Sequence, residues 1–183
     1  MRIITGSARG KKLLTLEGAD VRPTTDRVKQ ALFNIIQFQI EGRKVLDLFA
    51  GSGQLGLEAV SRGAECAVLV DAAKSSIDVI TDNVHHTDLS KKVSVVHMDY
   101  ASYLLKKETR FDIALLDPPY NKGILPKALP LTAAVMNKGG IIVCEHAAGE
   151  ELPEQAGDFI KQRTYQYGKI MLTVYEHKDM GGE

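Results

Sequence analysis

One tetrapeptide in this sequence combines a carboxylate, two prolines and an aromatic ring. Asp117-Pro118-Pro119-Tyr120 directly follows the apolar run Phe111–Leu116, which predicts a strand. The two prolines fix the backbone φ angle twice and remove two N–H donors, so we expect Asp117 and Tyr120 in one rigid geometry. A carboxylate, an available carbonyl and an aromatic face suit the recognition of a planar base that bears an exocyclic amino group. The alternative is an ordinary Pro-Pro turn at the end of a strand.

A second candidate site is a glycine-rich stretch inside a predicted strand–turn–helix–strand unit. The unit consists of strand Lys44–Phe49, turn Ala50–Gly56, helix Leu57–Arg62 and strand Cys66–Asp71. Gly51 and Gly53 permit a tight turn and close approach of the backbone N–H groups to a ligand. Asp71 follows Gly51 at the distance of about 20 residues where an acid can bind ribose hydroxyls. The unit therefore predicts a site for an adenosine-containing cofactor without specifying which one.

The remaining elements alternate between strands and helices, which is typical of a doubly wound α/β sheet. Predicted helices and strands are a short hairpin (2–5 and 12–16), a helix from Asp26 to near Glu41-Gly42, helices 75–86, 101–106 and 124–136, and strands 93–97, 141–145, 158–165 and 169–177. Chemistry in such sheets lies at the carboxyl ends of the strands. Asp99 occupies such a position. It could accept a hydrogen bond from an adenine amino group, cap the following helix, or do both.

Composition limits the class of protein. The chain has 183 residues, 44% of them hydrophobic and 25% charged, which suits one domain with a small extension. No apolar run approaches the roughly 20 residues that a membrane helix requires, and no signal peptide is evident. The two cysteines form no CxxC pair and predict reduced thiols in the cytoplasm. The five histidines show no metal-binding spacing, so we expect no metal site.

Charge is unevenly distributed although the formal net charge is zero. Residues 1–30 carry seven Lys or Arg side chains against three Asp or Glu side chains. A basic end on an otherwise acidic chain suggests a phosphate-backbone partner. A solvated charged surface is the alternative on charge alone.

Together these motifs resemble a known group of enzymes. Asp47-Leu-Phe-Ala-Gly-Ser-Gly53, Asp71, Asp99 and Asp117–Tyr120 are similar to the ordered motifs of class I S-adenosylmethionine-dependent methyltransferases that act on amino nitrogens of bases. The N-terminal segments, 2–11 and 22–36, and the closing Tyr167-Gly168-Lys169 resemble the RsmD family more specifically. Members of that family methylate guanine N2 in small-subunit (16S) ribosomal RNA. The resemblance covers nearly the whole chain.

The resemblance implies a fold, a partner and a set of roles. It implies a Rossmann-like seven-stranded sheet with an antiparallel last strand (42–178), preceded by an RNA-contacting hairpin and helix (1–41). It further implies a cytoplasmic monomer that modifies ribosomal RNA or the assembling small subunit. The implied catalytic residues are Asp117, Pro118, Pro119 and Tyr120. The implied S-adenosylmethionine-binding residues are Asp47, Phe49, Ala50, Gly51, Ser52, Gly53, Asp71, Asp99, Tyr100, Thr24, Thr25 and Arg27. The implied RNA-binding residues are Arg2, Arg9, Lys11, Lys12 and Arg22.

Three other functions are compatible with parts of the sequence. Methylation of adenine N6 would use the same Asp-Pro-Pro-Tyr chemistry, but no second domain is large enough to recognise a DNA sequence. A nicotinamide-dependent oxidoreductase could use Gly51–Asp71 but would leave Asp117–Tyr120 without a role. A non-catalytic RNA-binding module would not require the complete set of acids and glycines.

Overall fold

Runs of valine, isoleucine and leucine form the strands of one mixed sheet. In the computed structural model, which describes residues 1–17 and 25–180, these residues form eight strands, five α-helices and one short 3-10 helix. The strands are β1 Lys44–Asp47, β2 Cys66–Asp71, β3 Val93–His97, β4 Phe111–Leu116, β5 Met136–Ala147, β6 Gln155–Ala156, β7 Phe159–Tyr167 and β8 Ile170–His177. The helices are α1 Asp26–Ile35, α2 Gln54–Ser61, α3 Lys74–His86, α4 Tyr100–Lys106 and α5 Leu125–Ala133, and the 3-10 helix is Lys178–Met180.

The strand order confirms the predicted doubly wound α/β sheet. The order is β3-β2-β1-β4-β5-β8-β7-β6, with β1 to β5 parallel and β8 antiparallel to both of its neighbours. Strand order therefore reverses at β1, where a doubly wound sheet binds its ligands. The described residues give eight strands rather than seven, because Gln155 and Ala156 pair with β7 as a two-residue edge strand.

Alternate side chains of the central strands enter two separate cores. One face of the sheet is covered by α1, α2, α3 and the N-terminal segment, which is residues 1–17. The side chains of Val45, Ile113 and Val143 point to this face. Leu46 and Ile142 point to the opposite face, which α4 and α5 cover. Because β1, β4 and β5 are buried on both faces, their sequences read as continuous apolar runs. Within the described ranges, no helix has the length and apolar character needed to cross a membrane.

Several predicted element boundaries were wrong, among them the start of β5, which is Met136 rather than residue 141. Helix α1 ends at Ile35 instead of near Glu41-Gly42. Ile36 and Ile40 continue the apolar pattern because they are buried in the core, although the chain there forms a turn. The helix predicted for 124–136 ends at Ala133, because Met136 already pairs with Phe111 in the sheet. The predicted N-terminal hairpin is reduced to one bridge between Arg2 and Lys12.

The N-terminal segment packs directly against the second half of α2. The backbone N–H of Ser7 donates to the Ser61 carbonyl at 2.8 Å. Gly6 has a φ of +89°, and a Cβ atom at this position would lie 1.7 Å from the Ser61 carbonyl oxygen. The Ser61 hydroxyl accepts from the Ala8 N–H at 3.0 Å and donates to the Thr5 carbonyl at 2.6 Å. Only glycine at position 6 permits this close approach.

A buried carboxylate on α2 fastens the same segment and α1. Glu58 accepts hydrogen bonds from the N–H groups of Ile4 (2.8 Å) and Thr5 (3.0 Å) and from Arg62 Nε (2.9 Å). The Lys29 ammonium lies 3.4 Å from Glu58 and donates to the Arg2 carbonyl at 2.5 Å. Burial lowers the pKa of Lys29, and the charge of Glu58 opposes that shift. The expected division of the chain into an N-terminal extension (1–41) and a main domain (42–178) stays a prediction.

Candidate active site

The candidate site residues follow adjacent strands at one edge of the sheet. The Leu48 N–H donates to the Leu115 carbonyl at 3.1 Å, which aligns the end of β1 with the end of β4. On the other side, the Ala50 N–H donates to the Val70 carbonyl at 3.0 Å. A bond from the Met98 N–H to the Asp71 carbonyl (3.0 Å) aligns β3 with β2 in the same way. The glycine-rich turn, Asp71, Asp99 and Asp117 therefore all lie at this edge.

The glycine-rich turn is bound to the neighbouring acid. The Gly51 N–H donates to Asp71 Oδ2 at 2.9 Å, and the Ala73 N–H donates to Asp71 Oδ1 at 2.9 Å. Gly51 and Gly53 have φ angles of +58° and +80°, which a residue with a side chain rarely adopts. A Cβ atom on Gly51 would meet only Leu16, at 3.9 Å, among the described residues. A ligand could therefore approach the backbone at this glycine closely.

Asp47 lies buried beneath the turn. Its Oδ2 accepts from the Gly56 N–H at 2.8 Å, while Oδ1 has no hydrogen-bond partner among the described residues. Burial raises the pKa of Asp47 to about 7; the charge of Asp71 adds to this shift and the Gly56 hydrogen bond opposes it. The bond to Gly56 ties the end of β1 to the first turn of α2. Asp47 can therefore fix the shape of the turn.

The acid after β3 caps a helix. Asp99 is exposed, and its Oδ1 accepts from the Ser102 N–H at 3.0 Å at the start of α4. The hydrogen bonds from Ser102 lower the pKa of Asp99. The capping interpretation is thus confirmed, and adenine binding stays a prediction. Beside it, the rings of Tyr100 and Phe49 lie 5.3 Å apart at an angle of 49° and form an aromatic pair.

The Asp-Pro-Pro-Tyr turn follows β4 and is anchored at its tyrosine. Asp117 is half-buried where β4 ends, and Pro118 is buried while Pro119 is exposed. The Tyr120 hydroxyl donates to Glu145 Oε1 at 2.6 Å, and Glu145 is buried near the end of β5. The aromatic ring is therefore held by its far end. The sequence prediction did not include Glu145, although an acid at the end of a predicted apolar strand was a usable signal.

Comparison with known proteins places this arrangement in a family. The profile of the family described as conserved hypothetical protein 95 matches residues 1–176. The ribosomal RNA small subunit methyltransferase D of Escherichia coli (strain K12) is 32% identical over 183 residues, which covers 99% of this chain and 92% of that protein. The chain belongs to the RsmD family of methyltransferases.

Other similar proteins agree with this assignment. YlbH of Bacillus subtilis is 39% identical over 183 residues and is covered completely. The structure of yhhF from Escherichia coli superposes with a TM-score of 0.86 and is 33% identical, with 97% of each chain covered. A Thermus thermophilus structure, described as the 16S rRNA N2 methyltransferase RsmC in complex with AdoMet and guanosine, is 25% identical with a TM-score of 0.68. The alignment covers 84% of this chain and 44% of the RsmC chain.

In this RsmD-family chain, two of the N-terminal cofactor candidates, Thr25 and Arg27, lie at the start of α1. Thr25 is the N-cap of α1, and its hydroxyl accepts from the Val28 N–H at 3.3 Å. Arg27 lines a groove that α1 forms with β7. Thr24 and Arg22 lie outside the described residues. Cofactor binding by Thr25 and Arg27 stays a prediction.

The predicted RNA-binding side chains differ in their exposure and in their contacts with other residues. Arg9 and Lys12 are exposed. The ammonium of Lys11 lies 2.5 Å from Asp88 Oδ2 and 3.1 Å from the His86 carbonyl, and the bond to Lys11 lowers the pKa of Asp88. Arg2 lies 3.4 Å from Asp26. Arg9 and Lys12 are therefore better placed than Lys11 to bind phosphate without breaking a protein contact.

A buried asparagine joins the N-terminal segment to the glycine-rich turn. Asn83 on α3 accepts from the Leu14 N–H at 2.8 Å and donates to the carbonyls of Leu14 (3.0 Å) and Ser52 (2.9 Å). The Ser52 hydroxyl also donates to Met1 Sδ at 3.2 Å. Sequence reasoning missed Asn83, because an asparagine within a helical pattern gives no sign of its partners.

Proposed function

We propose that this protein transfers a methyl group from S-adenosylmethionine to the exocyclic N2 of a guanine in small-subunit ribosomal RNA. The observation that carries the proposal is the alignment of β1 with β4, which sets the Asp117–Tyr120 turn beside the glycine-rich turn. The name of the E. coli relative supports a ribosomal RNA substrate, and the RsmC neighbour with AdoMet and guanosine supports guanine N2.

The residues at the strand ends fit this cofactor. A carboxylate offers about four acceptor sites, so Asp71 can bind two ribose hydroxyls in addition to the N–H groups of Gly51 and Ala73. The open approach at Gly51 leaves room for the amino-acid end of the cofactor. The Phe49–Tyr100 pair and Asp99 would border the adenine. When bound, the cofactor supplies a sulfonium methyl group that needs no further activation and no metal ion.

The Asp-Pro-Pro-Tyr turn would prepare the acceptor nitrogen. The lone pair of the guanine amino group is delocalised into the ring and is a weak nucleophile. Hydrogen bonds from this amino group to Asp117 and to the Pro118 carbonyl favour a more tetrahedral nitrogen and stabilise the positive charge that develops on it. The methylated nitrogen then becomes neutral by releasing one proton to water. The bond from Tyr120 to Glu145 and the two prolines keep these groups in a fixed geometry. Correct placement needs the reacting atoms about 3 Å apart.

The target base would have to leave its stack to reach this turn. Unstacking costs a few kcal/mol, and stacking on Tyr120 would offset roughly 1–3 kcal/mol of that cost. The exposed side chains of Arg9 and Lys12 would bind the RNA backbone. Such phosphate contacts contribute affinity but little sequence specificity. A ribosomal substrate implies activity in the cytoplasm, as the sequence predicts; the monomeric state stays a prediction.

Nucleoside analysis after transfer of a labelled methyl group tests the proposal. The substrate is small-subunit RNA, or partly assembled particles, from cells that lack this activity, and we expect label in N2-methylguanosine. Label in N6-methyladenosine would keep the chemistry and contradict the target base. The absence of label from any nucleic acid, despite measured cofactor binding, would contradict the proposal as a whole.

Asp117→Ala tests the role of the turn. We expect kcat to fall by about 10²–10³-fold, as when one preorganised group that stabilises a transition state is removed, while the Kd for S-adenosylmethionine stays unchanged. Asp78→Ala, which removes an exposed carboxylate on α3, is the matched control. Turnover of Asp117→Ala within about threefold of wild type would show that the assigned role is wrong.

A further inference from the structure

We propose that the groove between α1 and β7 binds a nucleotide near the target guanine in the same RNA strand and stacks its base on Tyr165 and Tyr167. This inference rests on the proposed function, because it takes single-stranded RNA at the Asp117–Tyr120 turn as its starting point. It extends that function by naming a second nucleotide subsite, which lies outside the target-base position and shares Arg27 with the predicted cofactor residues.

The groove has the size and chemistry of a nucleotide site. Its volume is about 610 Å³, within the range of about 300–1,000 Å³ typical of ligand sites. Its described lining residues are Arg27, Gln30, Ala31, Asn34, Ile35, Tyr165 and Tyr167. Among these residues there are two aromatic rings, two amides and one guanidinium, and there is no carboxylate. Rings for bases combined with positive charge for phosphates are the usual means of binding single-stranded nucleic acid.

The sheet register sets this groove beside the candidate active site. Glu145 pairs with Leu172, and Leu172 pairs with Tyr165 in the next strand. Directly paired residues project from the same face of a sheet, and two strand spacings amount to about 10 Å. Tyr165 therefore lies on the same face as Glu145, which holds the Tyr120 hydroxyl. Both positions are therefore within reach of one RNA strand.

The groove also opens at the correct edge of the sheet. Ile170 pairs with Ala147 at the carboxyl end of β5, and Tyr167 pairs with Ile170. Because β8 runs opposite to β5, and β7 runs opposite to β8, the last residues of β5 and β7 share one edge. Asp117 follows β4, the parallel neighbour of β5, at this same edge. An RNA strand that delivers a base to Asp117 would pass the two tyrosines.

Polar side chains in the groove are already oriented. Gln30 Nε2 donates to Asn34 Oδ1 at 2.7 Å, and the Arg62 guanidinium donates to Gln30 Oε1 at 3.3 Å. The Arg163 guanidinium, which does not line the groove, lies 5.7 Å from the centre of the Tyr165 ring and carries a second positive charge close to it. A preorganised wall of this kind loses little conformational entropy when a nucleotide binds. Both tyrosines are half-buried, so part of each ring is accessible.

The test compares Tyr165→Ala and Tyr167→Ala with Tyr165→Phe and Tyr167→Phe. Base stacking on an aromatic ring accounts for about 5-fold to 150-fold in affinity. We expect each alanine variant to raise the KM for small-subunit RNA within this range, with kcat and the Kd for S-adenosylmethionine close to wild type. The phenylalanine variants keep the ring and should behave like wild type. Tyr103→Ala, a half-buried tyrosine on α4 and outside the groove, is the matched control.

Several results would overturn the inference. An unchanged KM in folded alanine variants would do so, and so would phenylalanine variants as defective as the alanine ones, since the ring would then be unimportant. If the alanine variants fail to fold, wild-type protein is cross-linked by light to RNA that contains 5-iodouridine, and the cross-linked peptides are mapped. Cross-links at Tyr165 or Tyr167 support the subsite, whereas cross-links confined to other peptides refute it.

The nucleoside analysis separates this inference from the proposed function. Label in N2-methylguanosine with unchanged KM values in the alanine variants would leave the function intact and refute the subsite. Label in a different nucleoside would refute the proposed target, while raised KM values on that RNA would still support the subsite.

Discussion

Removal of the Glu58 carboxylate should weaken the attachment of the N-terminal segment to α2. Glu58 is fully buried and is the ion-pair partner of Lys29, which is also fully buried. In Glu58→Ala, Lys29 would retain only the Arg2 carbonyl as a hydrogen-bond acceptor among the described residues. The N–H groups of Ile4 and Thr5 would lose their acceptor as well.

The loss of the ion pair and of the two hydrogen bonds determines the expected decrease in the free energy of unfolding. Removal of one partner from a buried ion pair typically costs about 3–5 kcal/mol, because the remaining charge is left uncompensated. The two N–H groups lie nearer to solvent, since Ile4 is half-buried and Thr5 is exposed, so water can replace part of their bonding. We therefore expect Glu58→Ala to lower the free energy of unfolding by about 3–5 kcal/mol. That is a large part of a typical total of about 5–15 kcal/mol.

Urea unfolding provides the measurement, with Lys29→Met as the comparison variant. In Lys29→Met the carboxylate keeps Arg62 and both backbone N–H groups, so this variant should lose less stability than Glu58→Ala. Hydrogen exchange of the Ile4 and Thr5 amides should also become faster in Glu58→Ala. A loss in Lys29→Met equal to or greater than that in Glu58→Ala would refute the view that the carboxylate is the centre of the network.

Two further predictions concern pH and salt. Because burial raises the pKa of Asp47 from 3.8 to about 7, the folded chain holds an extra proton between these values, and stability should fall as the pH rises through this window. Asp47→Asn should remove that fall. The melting temperature of the variant minus that of wild type should therefore be greater at pH 8 than at pH 5. An equal difference at both pH values would contradict the raised pKa of Asp47. Arg9→Ala and Lys12→Ala should each reduce the salt slope of RNA binding by about 1. Lys11→Ala should reduce it less, because its ammonium pairs with Asp88, and equal slopes for all three would contradict the proposed difference.

The sequence predicted the sheet and the main site motifs because their signals are local. Gly51, Asp71 and Asp117 each stand directly after an apolar run, and the carboxyl ends of parallel strands necessarily meet at one edge. Their convergence therefore followed from the strand assignments alone. The end of α1 was predicted too late, because Ile36 and Ile40 continue the apolar spacing in a turn that is still buried.

The pairings between distant side chains could not be predicted. Glu145 binds Tyr120 across a sequence separation of 25 residues, and Asn83 reaches Leu14 across 69. The same residue types on exposed helix or strand surfaces would give the same local pattern. Only the packing of α2 and α3 against the N-terminal segment reveals that Glu58 and Asn83 are buried. The apolar pattern of a single sequence predicts the two cores, but it does not predict which polar side chains form pairs inside them.

The attachment of the N-terminal segment has a consequence for the order of folding. The partners of Ile4, Ala8 and Leu14 lie 54, 53 and 69 residues later in the chain. Contacts at such separation form only after the entropy of closing a long loop has been overcome. During synthesis the first residues must therefore wait until α2 and α3 have emerged. Asn83, which binds both Ser52 and Leu14, would connect the glycine-rich turn to this segment only at that late stage.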